Sequence, residues 1–109
     1  MRLTLCICCM SKYVLHIPRV KFIDGQLVSI LLESTTLASE IAKQIDSCYF
    51  VDAVGYYDGR LFDEKLMVVF SDIDVGEMFR KACEKYHDLL CQEEYAYEKD
   101  NDLIKFKIG

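Results

Sequence analysis

The chain is poor in the residues that interrupt helices and strands, and it lacks tryptophan. Its 109 residues include one proline, five glycines and no tryptophan, and 52% of them are hydrophobic. This composition excludes a disordered or collagen-like chain. The mostly apolar run at residues 3–10 is too short to span a bilayer. A chain of this length favours one domain with one core, which we place at residues 10–109. Residues 1–9 are expected to be an N-terminal extension or an added strand.

Positive charge is also scarce. The chain has 13 Lys and Arg against 18 Asp and Glu, a formal net charge of −5. Proteins that bind a nucleic-acid duplex normally carry a basic face, so this balance argues against direct nucleic-acid binding. From Asp72 onward, the chain contains ten acidic and six basic residues. An acidic half suits a partner protein with a basic surface, while ordinary solvated charge that maintains solubility is the alternative.

Motifs for phosphate binding and for a serine nucleophile are missing. Neither G-x-G-x-x-G nor the P-loop pattern occurs, and G-x-S-x-G is absent. Asp72 and Asp74 follow a predicted strand, where paired carboxylates can hold Mg²⁺. Helix capping explains Asp74 without a metal, because Asp74 and Glu77 form the D-x-x-E pattern. We therefore expect no cofactor.

Six cysteines are present, but their placement does not indicate a disulfide framework. Three of them fall within the first nine residues, and C-x-C-C lacks the spacing of a structural zinc site. A free cysteine buries well as a small apolar residue, so a reducing, cytoplasmic location is the simpler interpretation. The cysteines are Cys6, Cys8, Cys9, Cys48, Cys83 and Cys91.

Cys83, His87 and Cys91 are spaced four residues apart on a predicted helix. Two such side chains can share a metal, but the 3.6-residue period carries the third away from the first. We favour a boundary cysteine, a surface histidine and an exposed cysteine over a metal site. A Cys83–His87 nucleophile pair lacks a visible orienting group. His16 stands beside Pro18 on a predicted edge strand, which favours a surface or half-buried histidine over a base.

Hydrophobic periodicity predicts seven elements in the order strand, strand, helix, strand, strand, helix, strand. A half-exposed strand around Val20 and Phe22 leads through an Asp24-Gly25 hairpin turn to a central strand at 27–32. Thr35-Thr36 is expected to cap a helix over 37–47, and a strand at 50–57 follows. A second Asp-Gly turn leads to a central strand at 66–70, and the Asp74 cap opens the second helix. The last strand, at 103–108, carries lysines typical of a protected edge.

This order resembles the ferredoxin-like fold. The predicted fold is therefore α+β, a split β-α-β arrangement (ββαββαβ) with an antiparallel sheet and two helices on one face. RNA-recognition domains share the order, but their aromatic motif is missing from the two predicted middle strands. The fold itself carries no function.

The segment 92–102 is the most suggestive surface, since it interleaves acids with two tyrosines. Tyrosine supplies rigid contact area, and acids complement Lys or Arg on a partner. A solvated connection before the last strand is the alternative. The expected partner-binding residues are Glu93, Glu94, Tyr95, Tyr97, Glu98, Asp100, Tyr56 and Tyr57.

Together these features favour a small, acidic, non-catalytic interaction module. A concrete form is an inhibitor that covers the basic nucleic-acid-binding surface of a partner protein. The alternatives are a ligand-binding regulatory domain that dimerises, and a small enzyme that uses Cys83 or the Asp72–Asp74 pair. A homodimer is compatible with the interaction module and with the regulatory domain.

Overall fold

The computed structural model describes residues 10–109. The expectations for residues 1–9, including Cys6, Cys8 and Cys9, lie outside the described residues. The strands are β1 (Ser11–Pro18), β2 (Val20–Ile23), β3 (Gln26–Ser29), β4 (Tyr49–Tyr57), β5 (Arg60–Ser71), β6 (Tyr95–Lys99) and β7 (Asp102–Phe106), and the helices are α1 (Leu31–Ala42) and α2 (Val75–Leu90).

Five strands form one antiparallel sheet in the order β4-β5-β1-β6-β7. The strands β2 and β3 form a separate two-stranded hairpin. The prediction of an α+β fold with an antiparallel sheet and two helices is confirmed. The ferredoxin-like ββαββαβ order is wrong, because the described chain reads βββαββαββ and the sheet lacks the predicted 27–32 strand. Strand β1, which was predicted at an edge, lies in the middle.

The core lies between the two helices and one face of this sheet. Tyr13, Leu15 and Ile17 alternate along β1 and are almost fully buried. They join one hydrophobic cluster with Leu37 of α1 and Phe79 of α2. Each buried aliphatic side chain of this kind contributes roughly 1.5–3 kcal/mol to stability. Packing against β1 therefore fixes both helices on the same face of the sheet.

The helix α1 begins six residues earlier than predicted, and this shift removes the predicted central strand. Leu31 and Leu32 belong to the helix and are exposed, so the apolar run at 27–32 did not mark a buried strand. Thr35 and Thr36 do not cap the helix. Their hydroxyls donate to the carbonyls of Leu31 and Leu32 one turn back, at 2.9 and 3.0 Å. Threonine makes this bond inside helices as well as at their ends.

Both Asp-Gly turns form as predicted. Asp24-Gly25 joins β2 to β3 and Asp58-Gly59 joins β4 to β5, with positive φ at all four residues. A type I′ turn requires this conformation, which glycine adopts without strain. The last strand lies at the sheet edge, as its lysines predicted. Its partner β6 was expected to be a connection and is a strand.

Helix α2 begins where the D-x-x-E pattern predicted. The Asp74 carboxylate accepts a hydrogen bond from the Glu77 backbone N–H at 3.1 Å, a cap that contributes about 1 kcal/mol. The helix ends at Leu90 and is capped by Cys91, which adopts the left-handed conformation and donates its N–H to the His87 carbonyl at 2.9 Å. Neither helix within residues 10–109 has the length and apolarity needed to cross a membrane.

A close approach between α2 and β6 generates a stability prediction. The Tyr97 ring lies against the Cα of Gly76, where a Cβ would clash. Edge-to-face contact with Phe79 and a tilted contact with Phe106 hold this ring in place. We expect Gly76→Ala to lower the free energy of unfolding by about 1–2 kcal/mol in urea titration. Overpacking costs roughly 1–3 kcal/mol, more than the helix-propensity gain of about 1 kcal/mol.

The matched control is the same substitution in a Tyr97→Leu background. There the clash is gone, so Gly76→Ala should be neutral or stabilising, and the double-mutant cycle should show strong coupling. Additive effects of the two substitutions would mean that the ring does not pack on Gly76.

Candidate functional site

The sheet face that points away from the helices is the first candidate, and we call it the open face. Residues in register across strands share a face. One such row crosses all five strands through Tyr49, Val68, Val14, Glu98 and Leu103. Tyr49 is 52% exposed and Leu103 54% exposed. The outer face of an antiparallel sheet is normally polar, so this apolar row requires an explanation.

The neighbouring rows continue the apolar surface. Val51 pairs with Leu66 in one row, and Phe70 pairs with Lys12 in the row on the other side. Val51 is 42% exposed and Phe70 is 53% exposed. Contiguous exposed apolar surface of this kind marks interaction sites in soluble proteins.

His16 lies on the open face between two carboxylates. It projects from β1, while Glu64 and Glu98 project from the strands on either side. Its Nδ1 contacts a Glu64 carboxylate oxygen, and its Nε2 lies 2.8 Å from Glu98 Oε2. Three adjacent strands therefore bring together residues that are up to 82 positions apart in sequence.

The protonated imidazole is the form that this geometry stabilises. A neutral imidazole has one N–H, so only the imidazolium can donate to both carboxylates. Partial burial disfavours the charge, but the hydrogen bonds that His16 donates to Glu64 and Glu98 outweigh it and raise the pKa of His16 above its ordinary value. With both nitrogens engaged, His16 is a poor general base. Within residues 10–109, no group of His, Cys, Asp and Glu is arranged to hold a metal ion.

The second candidate is a projecting arm formed by two hairpins, residues 20–29 and 54–63. Arg60 joins them: its Nη1 donates to the Gly25 carbonyl at 2.7 Å, and its guanidinium lies 5.2 Å from the centre of the Phe22 ring. At the base of the arm, the Ile30 N–H donates to the Arg19 carbonyl at 2.8 Å. The Gln92 side chain also donates to the Val20 carbonyl at 2.8 Å. The arm is thus tied to the domain at several points.

The arm carries Tyr56 and Tyr57, two of the residues predicted to bind a partner. Tyr56 is 72% exposed and Tyr57 is 59% exposed. Val54 and Leu61 are also exposed on the arm, as are Phe22 and Ile23 in part. The Asp-Gly turns place Asp24 and Asp58 at its end.

The structure separates the other predicted residues instead of collecting them on one surface. Tyr95 is only 2% exposed. Tyr97 packs on the core, and Glu98 lies on the open face with His16. Asp100 accepts a hydrogen bond from the Lys12 N–H at 2.9 Å, which lowers its pKa. The alternation of inward tyrosines with outward Ala96 and Glu98 is the signal of a half-buried strand that the sequence analysis missed.

Glu93 and Glu94 are the members of the predicted set that remain exposed on the connection between α2 and β6. Glu94 lies 3.8 Å from the Lys105 amine. An exposed ion pair of this length contributes little to stability.

Cys83, His87 and Cys91 are not brought together as a metal site. Cys83 is fully buried in the core, and burial raises the pKa of its thiol. His87 Nδ1 lies 2.7 Å from the Tyr95 hydroxyl, and the exposed Cys91 thiol donates to the Asp88 carbonyl at 3.1 Å. A thiol with a raised pKa is a weak nucleophile, which argues against catalysis by Cys83.

The Asp72–Asp74 pair lies at the start of α2, where the Asp74 carboxylate caps the helix. The groove between α1 and α2 is shallow and lined by both signs of charge, including Glu40, Glu77, Lys81 and Lys85. Its lining does not resemble an apolar ligand pocket.

No protein-family model, curated protein or solved structure matches this chain.

The His16 cluster predicts how stability varies with pH. Because the folded pKa of His16 is raised, its stabilisation is present below the unfolded pKa of about 6.5 and is lost as pH rises through the folded value. We expect the free energy of unfolding, measured by urea titration, to fall by about 1 kcal/mol more in the wild type than in His16→Gln between about pH 5.5 and pH 9. Equal slopes for both proteins would contradict a protonated His16.

Burial predicts different reactivities for the cysteines on α2 and at its end. Iodoacetamide should modify Cys91 at least about tenfold faster than Cys83 in the folded chain, because only the Cys91 thiol is exposed. Peptide mapping by mass spectrometry separates the two sites. In urea, where both thiols are accessible, the difference should disappear. Fast modification of Cys83 without urea would contradict its placement in the core.

Proposed function

We propose that this chain is a non-catalytic, acidic protein-binding module whose contact surface is the end of the hairpin arm. The exposure of Tyr56 and Tyr57 on a braced projection is the observation that carries the proposal. The proposed site keeps these two predicted residues and replaces the segment 92–102 with the arm, since Tyr95 and Tyr97 pack inward.

The side-chain chemistry of the arm suits a protein partner. Tyrosine offers a large apolar ring and a hydroxyl, and it loses little conformational entropy when it is immobilised. Aromatic residues are enriched among those that contribute most binding energy in interfaces. The bracing by Arg60 lowers the cost of ordering the arm, because its two hairpins are already joined before binding.

The charge of the arm suits a basic partner. Asp24, Asp58 and Asp63 are exposed, while the two basic residues of the arm are already engaged, Arg60 with the Gly25 carbonyl and the Phe22 ring and Lys21 with the Leu89 carbonyl. The chain as a whole carries −5. Complementary charge accelerates association and fixes orientation. The concrete form of this proposal is an inhibitor that covers the basic, nucleic-acid-binding surface of another protein.

The ligand-binding regulatory domain and the small enzyme stay predictions with less support. Both nitrogens of His16 are occupied, Cys83 is buried, and the groove between the helices is shallow and charged. A cytoplasmic location also stays a prediction.

Paired charge-removal variants test the proposed surface. Asp24→Asn with Asp58→Asn keeps both turns, because asparagine also tolerates positive φ. Glu93→Gln with Glu94→Gln removes the same charge from the segment that the sequence favoured. With a partner recovered from the native source, we expect the first pair to weaken binding about tenfold or more in calorimetry, and the second pair to change it far less.

Tyrosine variants provide the matched apolar control. Tyr56→Ser with Tyr57→Ser should abolish most of the binding, while Tyr49→Ser, which removes an exposed tyrosine from the open face, should leave it intact. Competition between this chain and nucleic acid for the partner's basic surface would support the inhibitor form. Binding that survives both arm variants, or that is indifferent to salt, would contradict the proposal.

A further inference from the structure

The open face is the largest feature that the proposed function leaves unused. It lies on the side of the sheet opposite to the helices, and one row, apolar except for Glu98, runs across all five strands. Val68, in the central row, is 5% exposed although no element among residues 10–109 covers this face.

We propose that the open face is a homodimer interface, in which two copies of the chain pack sheet against sheet. Sheets pack in this way about 10 Å apart, with their strands aligned within about 30°. The proposal does not depend on the hairpin arm and its partner.

The size of the face fits a stable dimer. Five strands at a spacing of about 4.8 Å are roughly 24 Å wide, and the nine residues from Phe62 to Phe70 are about 27 Å long. Because β6 and β7 are only five residues long, the projected area is roughly 550 Å², before the outward extension of the side chains is counted. Stable interfaces bury about 800 Å² of accessible surface on each partner.

Charge explains why the occupant is a second copy. A chain with a net charge of −5 repels itself over most of its surface. On the open face, the two carboxylates of Glu64 and Glu98 are balanced by the His16 imidazolium and the Lys12 amine, while the Lys105 amine lies 3.8 Å from Glu94. The face is thus close to neutral, and two copies can approach through it without a charge penalty.

The arrangement of these charges is also self-complementary. In a two-fold dimer, each contact occurs twice, with the roles of the copies exchanged. A two-fold axis that crosses the strands at the Val14–Val68 pair would place Lys12 of each copy at the level of His16 in the other copy. The carboxylate of Glu64 reaches His16 at that level. Each Lys12 ammonium would therefore lie opposite the cluster of the His16 imidazolium with the Glu64 and Glu98 carboxylates, whose net charge is negative.

Two valines on the same strand supply the test. Val51 lies on the open face, and Val54, three residues along β4, lies on the opposite face; both are exposed. We expect sedimentation equilibrium of the full-length wild type to give twice the mass of one chain. Val51→Lys should raise the dimer dissociation constant by at least about 100-fold, since it buries an unpaired ammonium, and Val54→Lys should leave it unchanged.

A second variant keeps the test independent of how Val51→Lys folds. Leu103→Lys changes the far edge of the same face, on β7, and should also produce monomers. Circular dichroism and urea titration report the folding of each variant. The arm variant Tyr56→Ser with Tyr57→Ser should remain dimeric, so loss of partner binding and loss of the dimer are separate results.

Three outcomes would overturn the dimer. The first is a monomeric wild type at high concentration. The second is a dimer that Val54→Lys disrupts as readily as Val51→Lys and Leu103→Lys. The third is a monomeric full-length chain whose shortened form, beginning at Met10, dimerises. That result would assign the open face to residues 1–9 of the same chain; the described hydrophobic cluster lies entirely within the shortened form.

Discussion

The two-sided character of β1 is the constraint on which the rest of this structure depends. It is the middle strand of five, so it has a hydrogen-bonded neighbour on each side. Its odd-numbered residues Tyr13, Leu15 and Ile17 are buried against both helices. Its even-numbered residues face the open side, where Val14 joins the apolar row and His16 joins the two carboxylates. One face of the strand thus belongs to the core, and the other belongs to the open face.

Covering the sheet on one face leaves the chain with two distinct kinds of surface. The open face is broad, largely apolar and nearly neutral, and His16 on it is paired with Glu64 and Glu98. The hairpin arm is narrow and carries exposed aromatic residues beside unpaired carboxylates. The first suits self-association, which depends on area and close packing. The second suits a charged partner, for which a few rigid aromatic residues and complementary charge are sufficient.

Local signals in the sequence predicted the elements whose causes are local. The Asp-Gly turns require positive φ, the Asp74 cap requires a carboxylate before Glu77, and the lysines of β7 suit an edge; all three formed as predicted. The failures have a different origin. The apolar run before Thr35 has the composition of a buried strand, but part of it forms an exposed helical turn. Composition alone does not determine whether an apolar segment packs in the core or stays exposed.

The candidate site shows the same division between features with local causes and features that depend on long-range pairing. The exposure of Tyr56 and Tyr57 follows from their place beside a turn, which the sequence reveals. The burial of Tyr95 depends on pairing between β6 and β1, strands that are about 80 positions apart, and the acids around it concealed its alternation. The His16 cluster was invisible for the same reason, since its three members come from separate strands.

The pairing of β1 tests the account most directly. In the nuclear magnetic resonance spectrum of the full chain, cross-strand nuclear Overhauser effects should connect Val14 to Val68 on one side and to Glu98 on the other. Contacts that instead pair residues 27–30 with 66–70, with none between β1 and β6, would restore the ferredoxin-like order. They would also contradict the open face, the His16 cluster and the separation of the two surfaces.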